Sequence, residues 1–222
     1  MTVGAQAEVE RAQALARSGR QEAALAVLAA VTQRPDAPWQ ALSIHADMAK
    51  QAGRLEDSLA LSRRLIAVRP NSVPARHNLA STLGDLGRAA EAEAVCREAM
   101  ALGGDAPETW LVLARALQSQ NRFEAAEDAY RQALSRRPGY GEVLRDLSQL
   151  IWMRDADVAA ASAPVDLAIA AAPGDAGLRR IKARLLEYAG DAKGAYRTLV
   201  AGALDAPGEL AAAQACMGLD PR

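Results

Sequence analysis

The sequence predicts an all-α fold, a right-handed superhelical solenoid of antiparallel helix pairs with about six repeats. Three observations predict it: a turn signal with a period of 34 residues, apolar residues at helical spacing between the turns, and small residues at equivalent places in successive repeats. One helix pair cannot bury its apolar face alone, so neighbouring pairs must stack on each other.

The turn signal is a Gly-Arg pair, with asparagine in place of glycine in the fourth copy. Its copies are Gly19, Gly53, Gly87 and Asn121. Both residue types tolerate the positive φ that a tight turn between two helices requires. The period continues at Asp155 and, after one extra residue, at Gly190, which predicts six turns.

Between the turns, apolar residues recur three and four positions apart, as on one face of a helix. In the fourth repeat they are Trp110, Leu113, Ala114 and Leu117 in a first helix, then Phe123, Ala126, Ala129, Tyr130 and Ala133 in a second. Small residues mark where the two helices approach closely, namely Ala12, Ala46, Ala80 and Ala114 in first helices and Ala24, Ser58, Ala92 and Ala126 in second helices.

Helix boundaries are signalled by aspartate and proline. Asp36, Asp105 and Asp205 each begin an Asp-Ala-Pro phrase, in which aspartate can cap free amides and proline fits the first turn. Pro35, Pro70, Pro138 and Pro173 mark helix ends. Pro164 falls inside the second helix of the fifth repeat, which we expect to be kinked or shortened.

These residues resemble the tetratricopeptide repeat family, as in bacterial proteins that contain such repeats, with the best match between Trp110 and Pro138. The resemblance implies a single domain over 1–222, in which a capping helix or the start of a seventh repeat occupies 205–219. The repeats are expected at 5–37, 38–70, 73–104, 106–138, 140–173 and 175–203. It also implies that first helices line a concave groove that takes a peptide.

The exposed stripe of the later first helices predicts a peptide groove formed by Arg115, Gln118, Arg145, Gln149, Trp152, Arg180, Arg184 and Tyr188. Forked guanidinium donors beside flat aromatic rings suit an acidic segment or a C-terminal carboxylate. The alternative is that these arginines are ordinary surface charges, either solvated or paired with Asp146 and Glu187. The early repeats offer a mixed set without one preference: Gln13, Ser43, Asp47, Lys50, His77, Ser81 and Asp85.

Composition argues against several other function classes. The net charge is −1, so nucleic acid and membrane are not expected partners. Cys96 and Cys216 lack metal or redox spacing, and His45 and Asp47 would sit mid-helix and point apart. We therefore expect no catalytic residues, no metal and no cofactor. The first twenty residues contain no uninterrupted apolar stretch, so we expect a cytoplasmic protein.

Two further hypotheses arise at the end of the chain. The helix at 205–219 carries Ala212, Ala215, Cys216 and Leu219 on faces that a polar cap would cover. The chain could therefore be the N-terminal substrate-recruiting arm of a larger bacterial oxygenase or transferase, truncated at residue 222. It could instead form a homo-oligomer through this helix. The main hypothesis remains a scaffold that binds a protein or peptide.

Overall fold

The computed structural model describes residues 3–201, and these residues form twelve α-helices and no β-strand. The helices are α1 (Val3–Arg17), α2 (Gln21–Thr32), α3 (Trp39–Gln51), α4 (Leu55–Val68), α5 (Val73–Asp85), α6 (Ala89–Ala101), α7 (Pro107–Ser119), α8 (Phe123–Arg136), α9 (Gly141–Asp155), α10 (Val158–Ala171), α11 (Ala176–Tyr188) and α12 (Ala192–Val200). The all-α fold class is confirmed. Asp205, Cys216 and the predicted helix at 205–219 lie outside the described residues.

The chain divides into two compact units, residues 1–122 and 123–222. In the first unit, α1 packs on α2, α3 on α4 and α5 on α6, and each pair packs on the next as far as α7. In the second unit, α9 packs on α10 and α11 on α12, with α8 against α9 and α10 against α11. The repeat boundaries and the single domain over 1–222 stay predictions.

Five first helices end in the same hydrogen-bonded turn. In each, the residue with positive φ donates its amide to the carbonyl three positions back, and the next residue donates to the carbonyl five positions back. For α3 these bonds are Gly53 N to Lys50 O at 2.9 Å and Arg54 N to Ala49 O at 2.8 Å. This is the Schellman motif, which satisfies the last carbonyls of a helix. The turn residues are Gly19, Gly53, Gly87, Asn121 and Gly190, with φ between 59° and 81°.

The fifth turn corrects the sequence prediction. Asp155 is the last residue of α9, and the residue with positive φ is Ala156, at 52°. Ala156 donates its amide to the carbonyl of Trp152 at 2.9 Å. This is the αL motif, in which one hydrogen bond, and not two, closes the end of the helix. The extra residue therefore lies in α9, before the turn, and not between residues 155 and 190 as predicted. The prediction failed because neither glycine nor asparagine marks this turn.

The residues predicted to permit close helix approach are all buried. Ala12, Ala46, Ala80, Ala114, Ala24, Ser58, Ala92 and Ala126 are each at most 1% exposed. A larger side chain at any of these positions would have to displace a neighbouring helix. The small residues therefore set how closely the helices can pack.

The helix starts fall near the predicted places, but aspartate does not cap two of them. The N-cap of α3 is Pro38 and that of α7 is Ala106, and neither makes a side-chain cap. Asp105 instead accepts a hydrogen bond from Trp110 Nε1 at 2.8 Å. The capping side chains are those of Ser72, Asp157, Asp175 and Asp191, at α5, α10, α11 and α12.

Pro164 does not shorten its helix, so that form of the prediction is wrong, and the kink stays a prediction. Helix α10 runs for 14 residues, as α8 does, with Pro164 inside it. Proline removes the amide that would bond the carbonyl of Ala160. Because Ala160 is exposed, water can replace that donor and the helix continues.

A buried carboxylate ties the end of α7 to α6. Glu93 accepts hydrogen bonds from Arg97 Nη2 at 2.7 Å, from Gln120 Nε2 at 2.8 Å and from Arg122 Nη1 at 2.8 Å. Burial alone would raise the pKa of Glu93, but these donors outweigh it and lower the pKa to about 2. The second unit repeats this arrangement 34 residues later, because Glu127 is paired with Arg131 and with Arg154.

The Ala156→Gly substitution should stabilise the protein by about 0.5–1 kcal/mol. Glycine relieves the left-handed strain of alanine, about 1–2 kcal/mol, at an entropic cost of about 0.5–1 kcal/mol. Ala189→Gly is the matched control, since Ala189 caps α11 at φ −81° and should lose stability. Urea denaturation followed by circular dichroism measures the free energy of unfolding of both variants. If both gain or both lose stability, Ala156 is not strained.

The Glu93→Gln substitution should cost about 1–2 kcal/mol near pH 7, because charge-assisted hydrogen bonds are lost. The folded-state pKa lies below the ordinary 4.5, so this stabilisation is complete above pH 4.5 and is lost as the pH falls through about 2. Urea midpoints of wild type and variant should therefore converge as the pH falls from about 5 to about 2. The exposed Glu98 provides the control variant Glu98→Gln, whose effect should stay below about 1 kcal/mol.

Candidate functional site

The second unit contains a concavity of about 710 Å³ between α9 and α11. Six of the eight residues predicted for the peptide groove line it: Arg145, Gln149, Trp152, Arg180, Arg184 and Tyr188. Arg115 and Gln118 belong to α7 in the first unit and are not among its lining residues. The concavity is thus built by the first helices of two successive pairs.

Helical spacing explains why one face of each helix contributes. On α9 the lining residues Arg145, Ser148, Gln149 and Trp152 stand at intervals of three and four. On α11 the polar and aromatic lining residues Arg180, Arg184 and Tyr188 stand four apart. The opposite faces are used for packing: Leu144 and Leu178 join the core with Val165 and Ala168 of α10.

The two ends of the concavity are lined by different kinds of side chain. Gly141 begins α9 and Ala176 begins α11, so residues 35 apart occupy equivalent positions. Arg145 is therefore equivalent to Arg180, and Trp152 is equivalent to Glu187, next to Tyr188. One end of the concavity is cationic and the other end is aromatic.

Three arginines line the concavity, and two of them form no ion pair with the described residues. Arg145 Nε lies 3.2 Å from Asp146 Oδ1, as the surface-charge alternative predicted. Among residues 3–201, Arg180 and Arg184 are exposed and have neither an ion pair nor a hydrogen bond, so the solvated form of that alternative stays open. Like charges one helical turn apart repel each other, so an anion bound here would relieve a small cost.

The remaining lining groups differ in how firmly they are held. Tyr188 is 69% exposed, whereas Trp152 is half-buried. Among residues 3–201, the hydrogen-bond partner of Gln149 Nε2 is Met153 Sδ at 3.9 Å, a weak acceptor. Gln149 therefore keeps most of its hydrogen-bonding capacity for a ligand.

The floor of the concavity includes small side chains that the sequence analysis missed. Ser148 is 2% exposed and Ala183 is 3% exposed, and they occupy equivalent positions on α9 and α11. The hydroxyl of Ser148 has no hydrogen-bond partner among the described residues. They stand at the same repeat position as Ala114, where small residues permit close helix approach, and that position was the signal that could have identified them.

The mixed polar residues of the first unit largely form hydrogen bonds and ion pairs with each other. Asn78 donates to Asp47, and Lys50 donates to Ser81 and lies 3.3 Å from Asp85. These contacts connect α3 to α5 and leave few free charges on this face. Burial is the main cause that lowers the pKa of His77.

His45 and Asp47, the pair considered as a metal motif, each bind a different side chain. His45 Nδ1 forms a hydrogen bond with Thr32 Oγ1 at 2.8 Å. Asp47 is held by Asn78. Across residues 3–201, no three His, Cys, Asp or Glu side chains lie together as metal ligands would. Burial raises the pKa of Cys96 to about 12, so its thiol stays protonated.

Models of the tetratricopeptide repeat match residues 71–139 and 111–176. Tetratricopeptide repeats are thus recognised within residues 71–176. A human relative, tetratricopeptide repeat protein 7A, is 33% identical over 87 residues, which are 39% of this chain and 10% of the relative. The match thus spans about a tenth of that relative. Proteins with these repeats generally mediate protein–protein interactions.

Two solved structures share the fold. MamA from Desulfovibrio magneticus RS-1 has a TM-score of 0.67 at 17% identity, over 77% of this chain and 96% of MamA. PilW, a type IV pilus biogenesis factor, has a TM-score of 0.72 at 17% identity, over 96% of this chain and 99% of PilW. Within residues 3–201, no helix has the length and apolar character needed to cross a membrane.

The Ser148→Ala substitution should raise the free energy of unfolding by about 1 kcal/mol, because a buried hydroxyl without a partner is removed. Ser58→Ala is the matched control: Ser58 is equally buried, but its hydroxyl lies 3.1 Å from Thr82 Oγ1. That variant should lose about 1 kcal/mol. Urea denaturation distinguishes the opposite signs, and a loss for both variants would mean that Ser148 has a partner.

Proposed function

We propose that the chain is a non-enzymatic protein–protein interaction scaffold whose concavity binds an acidic segment of a partner protein. The proposal rests on Arg180 and Arg184, which lie one helical turn apart on the lining face of α11. Neither forms an ion pair with another residue among 3–201. Forked guanidinium donors bind carboxylates through short, charge-assisted hydrogen bonds. The proposed ligand is therefore a peptide that carries aspartate or glutamate.

The surroundings of these arginines support a peptide over a small anion. Trp152 and Tyr188 offer flat apolar surface at the other end of the concavity, and Ile181 adds an aliphatic wall. Aromatic side chains beside arginine are the residue types that contribute most to protein–protein binding. A small anion would use the arginines alone and leave this surface uncovered.

Other arginines of the second unit form ion pairs that stabilise the fold. Arg131 and Arg154 are both paired with the buried Glu127. Arg180 and Arg184 lack such a carboxylate among the described residues, which favours an external partner. A recruiting arm of a larger enzyme would use the same concavity, and that alternative stays a prediction, as does the homo-oligomer.

Binding should depend on the charge of Arg180 and Arg184. Phage-displayed random peptides are selected on the full chain, and we expect the enriched peptides to carry more Asp and Glu than the input library. The double variant Arg180→Glu/Arg184→Glu should weaken their binding at least about tenfold, since charge-assisted bonds are worth about 1.5–3 kcal/mol. Fluorescence anisotropy of labelled peptides measures the affinities.

The matched control is the double variant Arg11→Glu/Arg197→Glu. It changes the net charge of the chain equally, at exposed arginines on α1 and α12 that do not line the concavity. Its affinity should equal that of wild type. Equal weakening by both double variants, or enriched peptides without excess acidic residues, would refute the proposal.

A further inference from the structure

Two stripes of side chains run along corresponding faces of α9 and α11. Their members stand four residues apart and are, on α9, Arg145, Gln149 and Met153 and, on α11, Arg180, Arg184 and Tyr188. Corresponding members are 35 residues apart, as the starts of the two helices are, so they occupy equivalent positions. Each stripe therefore begins with an arginine and ends with a large apolar side chain.

Met153 belongs to this face of α9, although it is not among the lining residues of the concavity. Its sulfur lies 3.9 Å from Nε2 of Gln149, which does line the concavity. Residues four apart on a helix lie on the same side, and the contact shows this for Gln149 and Met153. Met153 therefore extends the lining face beyond the edge of the concavity.

Met153 and Tyr188 leave most of their surface to water, with exposed fractions of 70% and 69%. Trp152, which is half-buried and lines the concavity, precedes Met153 in the sequence. Helices α9 and α11 contact each other, so these three large side chains belong to neighbouring helices. We call Trp152, Met153 and Tyr188 the apolar end. Because removal of apolar surface from water is favourable, a partner that covers the apolar end gains affinity.

Two exposed apolar side chains elsewhere lack this setting. The guanidinium of Arg69 lies over the ring of Trp39, 4.4 Å from its centre. Leu167 of α10 is 75% exposed and does not line the concavity. Single exposed apolar residues are common on protein surfaces. The apolar end differs because it combines three such side chains with the arginines of the same two helices.

A uniformly acidic segment would match only one half of each stripe. Its carboxylates would find donors at Arg180 and Arg184, but a carboxylate held against the apolar end would lose water without gaining a donor. Tryptophan, tyrosine and arginine together are the residue types that dominate binding energies at protein interfaces. The thioether of Met153 is flexible and polarisable, so it can adapt to the shape of an apolar side chain.

We propose that the apolar end binds a bulky apolar side chain of the acidic segment, with Met153 as a further binding residue. The partner segment is therefore mixed: its acidic residues lie against the arginines and its apolar residue lies against Trp152, Met153 and Tyr188. This inference rests on the proposed function, because the same segment must also bind Arg180 and Arg184.

A displayed peptide library that encodes only Asp, Glu, Gly, Ser, Phe and Leu tests the inference with the full chain. Selection on wild type should enrich Phe or Leu in the same peptides as Asp or Glu. Selection on the double variant Met153→Ala/Tyr188→Ala should enrich the acidic residues alone. Alanine removes the apolar surface and retains a high helix propensity, so circular dichroism should show an unchanged helix content.

The matched control is the double variant Val68→Ala/Leu167→Ala. It also removes two exposed apolar side chains, with exposed fractions of 59% and 75%, and neither lines the concavity. Selection on this variant should enrich the same peptides as selection on wild type.

Fluorescence anisotropy of one enriched peptide gives the size of the effect. Replacement of its apolar residue by serine should weaken binding to wild type about tenfold, and binding to Met153→Ala/Tyr188→Ala less than about threefold. The tenfold ratio should persist at about 0.5 M salt, because salt screens charges and not apolar contacts. Replacement of an acidic residue should matter less at that salt concentration.

The outcomes separate this inference from the proposed function. Enriched peptides that contain Asp and Glu without an excess of Phe or Leu would overturn the inference and leave the proposed function standing. The same holds if the two double variants select the same peptides. If Phe and Leu are enriched without Asp or Glu, or if no peptide is enriched, the proposed function fails and the inference fails with it.

Discussion

The left-handed residue between paired helices is the constraint on which the rest of the structure depends. Five such residues close Schellman motifs, in which the following amide satisfies a carbonyl near the end of the first helix. The tight turn brings the second helix back beside the first, so the small buried residues of both can meet. Each pair then has an uncovered apolar face, which the next pair within the unit covers.

The one departure from this turn coincides with the candidate site. Helix α9 ends at Ala156 in the single-bond motif and contains one extra residue. That residue shifts the equivalence between α9 and α11 from 34 to 35 positions, so Arg145 corresponds to Arg180. The candidate concavity therefore lies beside a first helix that departs from the 34-residue period.

The two units use polar side chains differently. In the first, Asn78 binds Asp47 and Lys50 binds Asp85 across neighbouring first helices, and these contacts stabilise the stack. In the second, the buried Glu127 is paired, whereas Arg180 and Arg184 have no such partner among the described residues. Polar groups that satisfy each other contribute mainly to the fold, and unpaired charges beside an aromatic wall are suited to binding.

The sequence by itself determined the helices, the first four turns and six of the lining residues, because a period of 34 and helical spacing are local properties of the chain. It also indicated arginine and aromatic side chains in the later repeats. Only the tertiary structure decided that Ala156 makes the fifth turn, that Asp105 binds Trp110 instead of capping α7, and that Ser148 lies in the floor without a partner. These outcomes depend on which neighbours compete for each polar group, and that competition exists only once the helices are packed.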